Sequence, residues 1–171
     1  MDHVFTPWRY SYLVQPPSAA ECVFCAAASA PDGDDSLVIR RWEHNFVLLN
    51  LYPYNNGHLL VAPYAHVASP AAATAAQRSE MMEVTAACER ALREVYGPEG
   101  INLGMNLGRA AGAGVESHYH LHILPRWFGD TNFMTITARA RIIPEELQVT
   151  RVRLRDALGR AAGPGSGAPR A

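Results

Sequence analysis

Apolar and polar positions change period along this chain, and the period predicts the elements. Short apolar runs stand at LVIRR (Leu37–Arg41), NFVLLNLY (Asn45–Tyr52) and GHLLVAP (Gly57–Pro63). Bounded by turn residues, each reads as a strand, and the turn PYNNG predicts that the last two form an antiparallel pair. SPAAATAAQ is a weak, Ala-rich helix start, and QRSEMMEVTAACERALREVYG is a strong helix. Its Met81, Val84, Cys88, Leu92 and Val95 recur every three to four residues on one face, and Gly97 can end it. INLGMN (Ile101–Asn106) and SHYHLHILPRW read as two further strands, joined by the loop GRAAGAGVE, and FMTITARARII as one more. Pro144 suits the first position of a closing helix, EELQVTRVRLRDAL.

The order is antiparallel strands, one long helix, more strands and a C-terminal helix, which is the α+β class. An irregular, aromatic and Pro-rich arm is expected over residues 1–20, one folded domain over 21–158, and a disordered tail over 159–171, where there is almost nothing to bury. ASAPDGDDS reads as a polar loop.

Composition narrows the partners. The 171 residues carry a net charge of −1, and 49% are hydrophobic. Such a balance supplies no general attraction to nucleic acid or an anionic membrane, so an anionic ligand needs a local site. No apolar run approaches the roughly 18 residues of a membrane span. MDHVFTPWRYSYL has neither a basic start nor an apolar stretch, so no secretory signal is expected. Three cysteines are too few for a disulfide scaffold, and a cytoplasmic location is expected.

The histidines sharpen this. Three of the seven, His118, His120 and His122, occupy every second position of ESHYHLHILPRW. In a strand they share one face, about 7 Å apart, and Tyr119, Leu121 and Ile123 share the other. Three imidazoles in register would repel if all were charged, so such a row suits neutral rings that bind metal or anion or do chemistry. Spacing alone leaves a metal site and phosphate chemistry open. The preceding AAGAGVES favours phosphate, because Gly112 and Gly114 let backbone amides approach a ligand.

HYHLHIL resembles the histidine triad motif of the HIT superfamily of nucleotide hydrolases and transferases. NLYPYNNGHLLVAPYAHVAS is similar to that family's upstream hairpin, with a fourth histidine at His58. The run from GMNLGRAAGAG through LPRWFGDTNFM, and the opening TPWRYSYL, resemble the bacterial branch that includes diadenosine polyphosphate phosphorylases and hydrolases. The resemblance covers about residues 6 to 158 and implies a HIT-like fold, with an antiparallel sheet of about five strands and a long helix on it. It also implies a homodimer that cleaves dinucleoside polyphosphates, diadenosine tetraphosphate above all, at the α-phosphate. His120 is then the nucleophile and forms a nucleotidyl-histidine, His122 is a donor to phosphate oxygen, and His58 is their support. Asn50 is placed at a ribose contact, and Asn106, Gly112 and Gly114 join His122 in holding the substrate. Water or phosphate is the acceptor. A nucleoside phosphoramidase, a non-catalytic nucleotide-binding module and a hydrolase with catalytic zinc at the triad are the alternatives.

CVFC places Cys22 and Cys25 in a CxxC pair that on its own suits redox chemistry, zinc or plain burial. The resemblance implies structural Zn2+ held by Cys22, Cys25, His66 and His118, and no organic cofactor. Cys88 is read as core, and Trp127 as an aromatic that either closes on the substrate or packs in the core or an interface.

Overall fold

A computed structural model describes residues 22–33, 36–130 and 145–161. A short helix α1 (Val23–Ser29) leads into strands β1 (Val38–Arg41), β2 (Asn45–Leu49) and β3 (Leu59–Pro63). A single 3-10 turn (Pro70–Ala72) precedes the long helix α2 (Ala75–Tyr96). Strands β4 (Gly100–Gly104) and β5 (Leu121–Arg126) follow, and helix α3 (Leu147–Ala161) closes the described chain. The strands form one sheet in the order β1-β2-β3-β5-β4, and every neighbouring pair is antiparallel. No helix among the described residues is long and apolar enough to cross a membrane.

Sheet alternation explains the central strands. Val47 and Leu49 of β2, Leu59 and Val61 of β3, and Leu121 and Ile123 of β5 pack with Met81, Val84, Cys88 and Leu92 of α2 and with Leu154 and Leu158 of α3. The residues between them, Phe46, Leu48, Leu60 and Ala62, form a second cluster with Phe24 of α1. The two central strands are apolar throughout because both their faces are covered. β5 alternates buried and half-buried positions instead, since its second face carries His122, Leu124 and Arg126.

The predicted α2 face is buried at Met81, Val84, Cys88 and Leu92. The weak Ala-rich start proves to be the 3-10 turn. The α-helix itself begins after Thr74, whose hydroxyl accepts from the Gln77 N–H while the Gln77 side chain takes the Thr74 N–H. Gly97 ends it at φ +53°.

Three boundaries differ from expectation. α1 was read only as the CVFC stretch and a loop, because seven residues hold too few turns for a helical period to show. Of the histidine stretch, only the part from Leu121 onward pairs in the sheet; Tyr119 N–H instead donates to Val67 C=O at 2.9 Å. α3 runs through Gly159 to Ala161, past the expected start of the tail. The expected arm (1–20), the FMTITARARII strand, Pro144 and residues 162–171 lie outside the described residues.

Candidate active site

Two neighbouring strands and the residues that lead into them carry the histidines. β3 and β5 pair with Leu60 opposite His122, so His122 points to the α1 side of the sheet. His58 directly precedes β3 and is 1% exposed. It is seated by Gly57 at φ +73°, where an added Cβ would lie 2.9 Å from the Tyr96 ring and 3.0 Å from Leu92. His118 and His120 come just before β5, both buried, and the side chains still alternate with the buried Tyr119 and Leu121. The structure thus brings His58, His120 and His122 together. His120 and His122 have ring centroids 4.8 Å apart, and His58 and His122 5.2 Å.

Neighbouring donors and acceptors, most of them backbone groups, fix which nitrogen of each ring holds the proton. Tyr54 N–H lies 3.2 Å from His58 Nδ1, which must accept, so the His58 proton sits on Nε2. That Nε2–H donates to His122 Nδ1 at 2.9 Å, which puts the His122 proton on its own Nε2. His120 is set the other way: its Nδ1–H donates to His118 C=O at 3.1 Å, and its Nε2 keeps a lone pair. His118 Nε2–H donates to Pro63 C=O at 2.9 Å and leaves the lone pair on Nδ1.

Burial keeps these rings neutral. It pushes His58 down to about 3, with His122 and then His120 adding to the shift. It pushes His122 down to about 4, with His120 adding. His120 is lowered by burial against the pull of the His118 carbonyl, and His118 by burial against the Pro63 carbonyl. At neutral pH the site therefore pairs a ring nitrogen that can only attack with one that can only donate.

The second predicted group also assembles. The sulfurs of Cys22 and Cys25 and ring nitrogens of His66 and His118 lie within 4.8 Å of one another. Cys22 Sγ is 3.4 Å from His118 Nδ1, Cys25 Sγ 3.7 Å from the same atom, and Cys25 Sγ 3.2 Å from His66 Nδ1. In a tetrahedral shell with metal–sulfur bonds of about 2.3 Å and metal–nitrogen bonds of about 2.0 Å, such atoms stand about 3.5 Å apart. Two thiols and two imidazoles, with His118 Nδ1 freed by the Pro63 carbonyl, fit a closed tetrahedral metal ion.

The remaining predicted residues are placed less closely. Asn50 faces His58, with its amide nitrogen 3.3 Å from Nδ1. Asn106 is half-buried after β4. Gly112, at φ +84°, and Gly114 are exposed in the loop leading to His118. Trp127 stands edge-on to Tyr96 at 6.4 Å, at the far end of β5 and about 16 Å along the strand from His122.

Sequence reading missed three contributors. Phe24 lies between the two cysteines of the motif, and its ring is 5.2 Å from His118 and 4.5 Å from His120. Tyr54 lies nearly parallel to His122 at 6.2 Å and is 45% exposed, an aromatic surface at the mouth of the site. Asn55 ties the turn before His58 to the end of β5, donating to Asp130 at 3.0 Å and to Pro125 C=O at 3.2 Å. Arg126, the Trp127 N–H and Asn55 hold the Asp130 carboxyl well below the usual carboxylate range. The only sequence signal for Tyr54 and Asn55 was their place in the PYNNG turn.

A family model described as HIT domain matches residues 33–129. An AP-4-A phosphorylase of Mycobacterium tuberculosis is 36% identical over 158 residues, covering 88% of this chain and 81% of that protein. Protein hit of Bacillus subtilis is 31% identical over 133 residues, covering 76% of this chain and 89% of its own. Among solved structures, a Zn-bound histidine triad family protein from Mycobacterium smegmatis superposes with a TM-score of 0.65 at 31% identity, over 82% of this chain and 94% of that one. A hypothetical histidine triad nucleotide-binding protein from Sulfolobus tokodaii gives 0.67 at 25% identity, over the same two shares.

Proposed function

Because the chain belongs to the HIT domain family, we propose that it cleaves dinucleoside polyphosphates at the α-phosphate, with diadenosine tetraphosphate the favoured substrate and inorganic phosphate the acceptor. The observation that supports this is the opposed tautomers of His120 and His122. His120 Nε2 attacks the α-phosphorus, and the bond from phosphorus to the bridging oxygen breaks. ATP leaves and AMP stays on His120. The ring becomes cationic, and the His118 carbonyl, already accepting from Nδ1–H, stabilises that charge. His122 Nε2–H donates to phosphate oxygen as charge grows there. Phosphate then attacks the same phosphorus, forms ADP and returns His120 to its neutral state. With water as acceptor the second product is AMP. The name of the M. tuberculosis relative favours phosphate.

Cys22, Cys25, His66 and His118 are the proposed ligands of a structural zinc, supported by their donor set and by the Zn-bound M. smegmatis relative. A zinc there supplies a cross-link between α1, the segment after β3 and the start of the histidine row. A homodimer belongs to the same reading and is tested by sedimentation, which should give twice the 18.7 kDa chain mass.

One assay tests the function. Protein is incubated with diadenosine tetraphosphate with and without phosphate, and the products are separated. ADP plus ATP that requires phosphate supports the proposal, AMP plus ATP without phosphate makes the enzyme a hydrolase, and no turnover in either arm overturns it. His120→Ala should fall below about one-thousandth of wild-type turnover; retained activity would remove His120 as nucleophile.

A further inference from the structure

We propose that Asn50 is a positioning residue that acts with the Tyr54 N–H to hold the tautomers of the His58–His122 pair. It thereby helps to keep a proton on His122 Nε2 for the substrate. Asn50 directly follows β2, and its backbone N–H donates to the His58 C=O at 3.1 Å across the end of the hairpin. Its side-chain oxygen accepts from the Tyr52 N–H at 3.0 Å, which settles the orientation of the amide. The amide NH2 therefore faces His58 Nδ1, at 3.3 Å.

Tyr54 N–H approaches the same nitrogen at 3.2 Å, so two donors share one lone pair. A proton on Nδ1 would face both of them with no acceptor. His58 is left with its proton on Nε2, His122 accepts it at Nδ1, and the His122 proton goes to Nε2. The links meet on the buried His58 ring, where an unmatched donor or acceptor is costly. The residue expected to touch ribose is thus engaged at both ends of its amide within the hairpin, behind the reacting rings. This inference rests on the reading of His120 and His122 as the reacting pair.

The test uses the full chain labelled with 15N and free of nucleotide, in which long-range proton–nitrogen spectra report the tautomer of each histidine. Wild type should show His58 and His122 protonated at Nε2 and His120 at Nδ1. Asn50→Asp keeps the shape but turns an acceptor toward His58 Nδ1, and should move a proton onto that nitrogen. Its kcat should fall about ten- to a hundredfold, as when other supporting hydrogen bonds are lost, with KM little changed. Asn50→Ala leaves the Tyr54 N–H as sole donor, and should keep the tautomers with a smaller loss. Unchanged His58 and His122 signals in Asn50→Asp would overturn the proposal. So would a raised KM at constant kcat in both variants, which is the mark of a lost substrate contact. The spectra need no substrate. If wild type turned over no dinucleotide, the proposed function would fail while the tautomer result still decided the role of Asn50.

Discussion

An imidazole ring does not itself choose which nitrogen holds the proton, and at this site the neighbouring donors and acceptors decide. Tyr54 N–H joined by the Asn50 amide, Pro63 C=O and His118 C=O, each close to a ring nitrogen, together orient four histidines. The seat of His58 depends in turn on Gly57. At φ +73° a side chain is strained by about 1–2 kcal/mol. Overpacking against Tyr96 and Leu92 adds about 1–3 kcal/mol. Gly57→Ala is therefore expected to lose about 2–5 kcal/mol in denaturant unfolding, and a midpoint equal to wild type would show that the turn relaxes freely. The histidine row and the CxxC pair were legible because both are patterns within a few residues. Phe24 and the Asn50–His58 contact were not, because each joins positions from separate elements whose approach no local period encodes.

Among elements, α1 is the least able to stand alone. Seven residues fall below the length at which a helix holds its shape in water, so tertiary contacts must supply its stability. Phe24 supplies one, packed with Phe46, Leu48 and Leu60, and the Cys22–Cys25–His66–His118 group supplies the other. One zinc per chain is expected by elemental analysis, and none in Cys22→Ser. Chelation should lower Tm by roughly 10 °C, which for a chain of this size corresponds to about 3 kcal/mol. Equal melting of chelated and untreated protein would rule out a structural metal. β2 and β3 were legible from sequence as short apolar runs bounded by turn residues, and α2 because its apolar positions repeat at the helical period. α1 was too short for that, and the sheet pairing of the histidine stretch stops at Leu121 because Tyr119 takes its bond from the Val67 segment instead.

At the scale of the whole molecule, the neutral imidazoles link stability to pH. Unfolded, a histidine takes up its proton near 6.5; folded, His58 does so only near 3 and His122 near 4. Between these values the unfolded chain binds more protons, so acid draws the equilibrium toward it. Their contribution is complete above pH 6.5 and is lost progressively as pH falls toward 3 to 4. The slope reaches at most about 1.4 kcal/mol per pH unit for each ring. Asp130 and Glu145 are also held below their usual values, but they titrate at lower pH, so the interval from 6.5 to 4.5 belongs mainly to histidine. Acid also weakens any metal held by thiols and imidazoles, in the same direction. His58→Gln separates the two, because it removes one buried ring and leaves the Cys–His group in place. Urea unfolding free energies of wild type should fall more steeply from pH 7.5 to 5 than those of His58→Gln. Parallel slopes would mean that His58 is protonated in the fold without cost, and the relay from His58 to the His122 Nε2 proton would go with it.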